Sequence, residues 1–476
     1  MGGRPPLYTF MRDLFRARGV LFFSIMEILW SRDRPYRKLL DDATPLRVEF
    51  PAVERRILHG VPIYSVRSSE VPLASFQLIL EGGAAADPEG MAGVVSQMAE
   101  MVVFSGSQSH DREILAQYLE NRGSLFGVNC DLERCIFRLQ SLSHYFVQDL
   151  GVVLQVLQKP RFAAEDWEIL QKRVLRKIEE RWENPSTLLS LVLRTQGYPN
   201  NFRGAIVSKR SVWKTTVEDF RRLHNLLFQK KNISLALAGS FDTSEVYALL
   251  EDFCSKLSDE GGSFFREKLA IIPPQPVGVV YHLEKDIPQT YLAFQARGLP
   301  HHDKRYTAWR LFDAILGGES FNSVLVQNIR TKKGWAYNVY SAIDSDAYHG
   351  TILISVQTEN KNLDDVVDEI RRLLANPKEY LTERRLQESK DAMLNKMVFL
   401  YETPEQFLNL YLSLIWDGLD ESYLNQLPQK IREVTLADVE AIARELYDNR
   451  RFFLAIVGPS AGKNGPVYKL PPSLFD

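Results

Sequence analysis

Landmarks of this sequence recur 219 positions apart, and no other feature restricts the fold as strongly. Pro185, behind Asn184, returns as Pro404 behind Thr403 (404 − 185 = 219). Asp219 returns as Asp438 and Gly239 as Gly458, with the same offset. The strings around them agree too: Leu235-Ala-Leu-Ala-Gly239 against Leu454-Ala-Ile-Val-Gly458. A constant offset of this kind marks two copies of one unit. Short apolar or alternating runs and stretches of helical period occur in both copies, so the expected fold class is α+β. We expect two homologous domains from internal duplication, each a mainly antiparallel sheet with helices packed on one face. Residues 1–46 read as an N-terminal extension and 47–258 as the first domain. A glycine-then-proline linker follows over 259–276, then the second domain over 277–476.

Composition narrows the class. Hydrophobic residues at 45% and charged residues at 25% are those of a globular protein with cores to bury, not of a disordered chain. Lysine and arginine number 58 against 60 acids, so no basic excess points to nucleic acid. Four arginines (Arg4, Arg12, Arg16, Arg18) precede an apolar run from Gly19 to Trp30. That run is too short to span a bilayer and is broken by Glu27. No small-x-small cleavage site follows it. We read it as a helix lying on the body of the protein, or as upstream sequence with the start at Met11 or Met26, and expect no stable membrane span. The cytoplasm is the favoured compartment; periplasm or export follows if residues 1–31 act as a signal or anchor. Three cysteines are too few for a disulfide framework. Cys130 and Cys135, five apart in strand-like sequence, are expected to point to opposite faces.

Read in order, Val61 to Val66 and Val71 to Leu80 form a hairpin or meander. Met91 to Phe104 is an unusually apolar helix, and Gly123 to Ser141 alternates as two strands. A long charged helix runs from Ala164 to Glu183, and Ile233 to Gly239 is a buried strand. In the second unit a helical run carrying Trp309, Leu311, Phe312 and Ile315 stops at Gly317-Gly318. A second amphipathic run places Phe321, Val324, Leu325 and Ile329 at helical spacing and ends in Lys332-Lys333-Gly334. Ala336 to Ser341 then enters a sheet. Arg330 falls on the last turn of that helix and Tyr337 on the strand.

The string from Leu316-Gly-Gly through Phe321-Asn-Ser323, Leu325, Ile329-Arg330, Gly334, Ala336-Tyr337 and Val339-Tyr-Ser341 closely resembles a known signature. It is that of the second domain in the pitrilysin and mitochondrial-processing-peptidase family of zinc peptidases. The duplication matches that family's architecture, and the resemblance covers about Val48 to the C-terminus. It implies that Arg330 and Tyr337 reach across a closed chamber and hold a peptide substrate near a zinc carried elsewhere.

The family's zinc sits on an H-x-x-E-H helix whose glutamate is the general base, with a third glutamate ligand from a later helix. Anchored on Phe104, Gly106 and Ser107, the two histidine positions here are Gln97 and Met101, and only the base survives, as Glu100. A slip of one residue gives Ser96, Ala99 and Glu100 instead. The third ligand position falls on Lys177, whose ammonium cannot ligate zinc at neutral pH. Glu179 and Glu180 are out of register and read as a solvated helix face. Register alone would let Lys177 and Glu100 form an ion pair where the metal used to be. The eight histidines supply no i, i+4 pair, and no Walker loop, dinucleotide turn or nucleophile elbow is present. Gly317-Gly318 fails as a phosphate cradle because Glu319 would repel the anion. No metal or other cofactor is therefore expected in this chain.

Two readings follow. In the first, the chain is the non-metal-binding half of a two-chain metallopeptidase. Its partner is a homologous H-x-x-E-H chain bearing the zinc, and Arg330 and Tyr337 hydrogen-bond the peptide backbone or the developing oxyanion. In the second, it is a catalytically inactive structural or peptide-binding subunit, like the respiratory-complex core proteins that resemble these peptidases, with Arg330 and Tyr337 as fold residues. Burial separates them: an Arg/Tyr pair facing an open acidic or polar chamber favours the first, a fully packed pair with internal partners the second.

Overall fold

The computed structural model describes residues 50–260, 265–318, 321–400, 402–420 and 422–475, with Val398 and Leu474 described by backbone only. The N-terminal extension with its Gly19–Trp30 run, part of the expected linker, and Glu319 lie outside the described residues.

Two six-stranded sheets form the framework. The first contains β1 (Glu54–Leu58), β2 (Val61–Arg67), β3 (Leu73–Glu81), β4 (Leu125–Cys130), β5 (Arg134–Leu142) and β6 (Ile233–Gly239) in the order β1-β2-β6-β3-β5-β4. The second contains β7 (Val280–Glu284), β8 (Gln289–Gly298), β9 (Ala336–Ser345), β10 (Gly350–Glu359), β11 (Phe453–Gly458) and β12 (Val467–Lys469) in the order β12-β7-β11-β8-β10-β9. Apart from the first edge the two orders are the same, with β6 and β11 as equivalents. Both sheets are mainly antiparallel; the parallel pairs are β2 with β6, β7 with β11 and β7 with β12.

β2 and β3 do not form the expected hairpin. β6 lies between them, parallel to β2 and antiparallel to β3. Its Ile-Ser-Leu-Ala-Leu-Ala run is nearly all buried, and a strand apolar on both sides belongs in the middle of a sheet. β2 forms its hairpin with β1 instead, through His59-Gly60, both at positive φ.

Seven helices matter for the site: α1 (Val94–Ser105), α2 (Ala164–Glu180), α3 (Pro185–Gly197), α4 (Val217–Leu227), α5 (Tyr306–Leu316), α6 (Pro404–Trp416) and α7 (Leu436–Leu446). The repeated landmarks are helix starts. Pro185 and Pro404 open α3 and α6, where a missing N–H costs nothing, and Asn184 and Thr403 accept from the free N–H groups behind them. Asp219 and Asp438 close capping boxes with Thr216 and Thr435 at α4 and α7. Each box satisfies two otherwise orphaned donors.

α3 and α6 are exchanged between the halves. Leu188, Leu189, Val192 and Leu193 of α3 pack with Leu283, Ala293, Phe453, Ala455 and Val457 of the second sheet. On the first sheet, Tyr411 of α6 meets Tyr64 with ring centroids 6.2 Å apart, and Asn409 accepts from Gln77 at 2.8 Å. Each sheet thus carries a helix borrowed from the other half. Polar clasps add to this exchange. The buried Arg203 donates to Asp346 at 2.8 Å, the Tyr198 hydroxyl lies 2.7 Å from Nε2 of His349, and Arg138 pairs with Glu405 at 2.9 Å.

The cysteines correct the expectation drawn from their spacing. Cys130 ends β4 and Cys135 lies in β5, directly opposite across the hairpin, and the two are joined in a disulfide. The turn falls between them, where Asp131 N–H donates to the Arg134 carbonyl at 2.8 Å. The period-two rule that sets residues five apart on opposite faces holds within one strand, not across a turn.

Candidate functional site

The helix ending at Leu316 and the strand beginning at Ala336 are brought together by glycine. Gly317 accepts a hydrogen bond from Ser341 N–H at 3.0 Å, and a Cβ there would lie 2.5 Å from that nitrogen. Only glycine admits so close a backbone approach. Beyond Gly317-Gly318, Val324, Leu325 and Ile329 turn inward and are fully buried. From Val326 to Thr331 the helix widens to π geometry, with Lys332 N–H donating to the Gln327 carbonyl at 3.0 Å. Such π turns occur mostly as single-turn bulges in α-helices and are frequent at functional sites. Gly334 then ends the helix at φ 65, its N–H on the Arg330 carbonyl at 3.1 Å.

This geometry puts Arg330 at the last helical turn, half-buried at its root. Among the described residues its guanidinium has no hydrogen-bond or ion-pair partner. Its neighbour Lys333, by contrast, is held by Glu369 at 2.7 Å. Tyr337 is 78% exposed. The register of β9 against β10 slips beside it: Asn338 faces Gln357, Ala336 faces Thr358, and Tyr337 has no partner between them. This β-bulge sets Tyr337 and Asn338 outward in succession, where plain alternation would bury one of them. The Arg330 guanidinium carbon lies 5.3 Å from the Tyr337 ring centroid, inside cation–π range. The two residues that the sequence singled out are thus adjacent, Tyr337 exposed and Arg330 half-buried with its guanidinium free of hydrogen-bond and ion-pair partners among the described residues.

One residue of the motif is placed differently. Phe321, expected on the buried face of the second helical run, precedes that helix and is 75% exposed. Its ring centroid is 5.5 Å from the Arg330 guanidinium carbon. Ser323, a residue type common at helix starts, was the available signal that the helix begins at Val324.

The first half carries the helix that the sequence register sets against the H-x-x-E-H helix of the family the chain resembles. Asp87 accepts from Gly93 N–H at 2.6 Å and Val95 N–H at 2.9 Å and so anchors the start of α1; burial pushes its carboxyl up to about 6. Along α1, Gln97 is 2% exposed and Met101 is fully buried, while Glu100 is half-buried. Both side-chain atoms of Gln97 lack a partner among the described residues. These side chains do not fit a zinc ion. An amide, a thioether and one carboxylate do not make the set of three imidazole, thiolate or carboxylate donors that catalytic zinc takes. Among the described residues no group of three or more His, Cys, Asp or Glu is placed to hold a metal ion.

The ion pair expected between Glu100 and Lys177 does not form. Lys177 is exposed on α2, and among the described residues neither side chain has an ion-pair partner. Glu179 turns instead to Lys209 at 3.3 Å. No hydrogen bond, ion pair or ring contact among the described residues joins Glu100 to Arg330 or Tyr337. No helix among the described residues is long and apolar enough to cross a membrane.

Comparison with known proteins follows the two halves. Residues 63–209 match the family described as insulinase (peptidase family M16), and residues 214–393 match the peptidase M16 inactive domain. An uncharacterized zinc protease of Rickettsia felis is 23% identical over 353 residues, covering 73% of this chain and 83% of that one. A Helicobacter pylori protein described as the non-peptidase homolog YmxG is 21% identical over 386 residues, covering 80% and 87%. The crystal structure of a peptidase M16 inactive domain from Pseudomonas fluorescens superposes with a TM-score of 0.75 at 23% identity, covering 86% of this chain and 98% of that one.

Proposed function

This chain belongs to peptidase family M16, and we propose that it is the non-metal-binding subunit of a two-chain zinc metallopeptidase. In this reading a homologous partner bears H-x-x-E-H and its zinc, and this chain supplies Arg330 and Tyr337 to the peptide substrate. The observation that carries the reading is the open Arg330–Tyr337 pair. A guanidinium packed into the fold finds a carboxylate or carbonyl to satisfy it. Arg330 has none among the described residues, and a bulge turns Tyr337 out of the sheet beside it.

The chemistry assigned to the chain is hydrogen-bond donation. The planar guanidinium offers several N–H donors and the tyrosine one O–H, enough to hold backbone carbonyls of an extended peptide or the oxygen that gains charge during attack. The zinc in the partner would activate the attacking water. Glu100, the remnant of the general base, has no metal ligands beside it in α1 and takes no part.

A second reading has one observation in its favour: a relative covering most of this chain is described as a non-peptidase homolog. In that case the same surface binds peptide without cleavage. Purifying the tagged chain from its own host separates the two. A stoichiometric partner of similar length carrying H-x-x-E-H, with peptide cleavage by the pair and by neither chain alone, is the expected result. A chain that emerges alone or as a homodimer refutes the partnered reading.

A further inference from the structure

We infer that Phe321 is a third substrate-contacting residue of the Arg330–Tyr337 surface, and that this surface selects extended peptides carrying an apolar, above all aromatic, side chain. The inference rests on the peptide-holding role proposed above and adds the class of peptide.

Phe321 is three-quarters exposed in a segment whose other apolar residues, Val324, Leu325 and Ile329, are fully buried. Its backbone is fixed all the same. The Gln327 side-chain amide donates to the Phe321 carbonyl at 2.7 Å, and Arg385 donates to the Asn322 carbonyl at 3.3 Å. The ring lies 5.5 Å from the guanidinium carbon of Arg330, which is itself 5.3 Å from the Tyr337 ring.

The composition of the surface states what fits it. The cation has no acid beside it among the described residues, so the occupant brings oxygen acceptors, which peptide carbonyls supply. The two exposed rings leave apolar area uncovered, so the occupant also brings an apolar side chain; rings pair best with another ring. A strongly acidic ligand would use the cation and leave both rings wet. A purely aliphatic one would use the rings and leave the guanidinium unpaired.

The test is fluorescence anisotropy with two labelled peptides of one sequence, differing only in a central Phe or Ala, on the full chain with its co-purified partner. The wild type is expected to bind the Phe peptide about tenfold more tightly, the size of one well-packed aromatic contact. Phe321→Ala should bring that ratio to within about twofold, and Phe321→Tyr should restore it. Arg330→Ala should weaken both peptides alike. A Phe/Ala ratio that survives Phe321→Ala overturns the inference, as does a wild type that fails to distinguish the peptides or binds neither. Cleavage unaffected by Arg330→Ala would defeat the peptidase role instead, and the ratio would still be read from binding alone.

Discussion

Replacing Arg203 by alanine tests the way the two halves are fastened. Arg203 is 2% exposed; it donates to Asp346 at 2.8 Å and to the Leu269 carbonyl at 3.1 Å, and lies 3.7 Å from Glu133. Asp346 belongs to the second half and Glu133 to the first, so one guanidinium answers carboxylates from both. Despite its burial, the Asp346 carboxyl is held below the usual carboxylate range by His349 and Arg203. Removing one partner of a buried pair costs about 3–5 kcal/mol, because the other charge stays behind. Asp346 keeps His349 and some contact with solvent, which places the expected loss near the low end, about 3 kcal/mol. The assay is equilibrium urea unfolding of the wild type and Arg203→Ala, with Asp346→Asn and the double variant completing a cycle. The midpoint should fall with little change in slope, and the double variant should lose less than the two single losses together. A loss under about 1 kcal/mol for Arg203→Ala, or additive losses, would refute the clasp.

Three further outcomes follow from the structure. Alkylation of the unfolded, unreduced protein should label Cys254 alone, with Cys130 and Cys135 reacting only after reduction; equal labelling of all three would contradict the hairpin disulfide. Closing so short a loop restricts the unfolded chain modestly, so Cys130→Ser should cost about 2 kcal/mol in chemical unfolding. His224 is buried with Nε2 2.9 Å from the Leu157 carbonyl, and burial lowers its pKa from 6.5 to about 4. The unfolded chain therefore binds a proton that the folded chain refuses, and stability is lost as pH falls from about 6.5 toward about 4. Relative to His224→Gln, the wild type should lose about 2 kcal/mol between pH 7 and pH 5. Asp87 and Asp313, raised to about 6 by burial, act in the opposite sense and cancel in that comparison. An unchanged difference between the two proteins at the two pH values would count against a neutral buried imidazole.

What the sequence disclosed was mostly local. The constant offset makes the repeat visible, but that its landmarks Pro185, Pro404, Asp219 and Asp438 sit at helix starts emerges from the structure. Gly317 was legible as a break, though its deeper reason, the approach of Ser341, is tertiary. The exchange of α3 and α6 was hidden, because an apolar helix face has the same pattern whichever sheet it covers. The insertion of β6 between β2 and β3 was hidden too, since strand order is not written in alternation. At the site, Arg330 and Tyr337 were found through their spacing and the surrounding motif, but not the device that exposes Tyr337. The bulge depends on how Gln357 and Thr358 pair with β9, residues some twenty positions downstream. Phe321 was misplaced because helical spacing was carried one turn too far. Glu100 and Lys177 shared a register, but register does not make a contact: one side chain is half-buried on α1 and the other points to solvent from α2.

The central claim is tested most directly by the cleavage rate of the partnered enzyme carrying Arg330→Ala, with folding checked by an unchanged unfolding midpoint. A charge-assisted hydrogen bond to substrate is worth about 1.5–3 kcal/mol, so kcat/KM should fall roughly ten- to a hundredfold or more at about 1.4 kcal/mol per decade. A folded, partnered Arg330→Ala enzyme with wild-type kcat/KM would contradict the account.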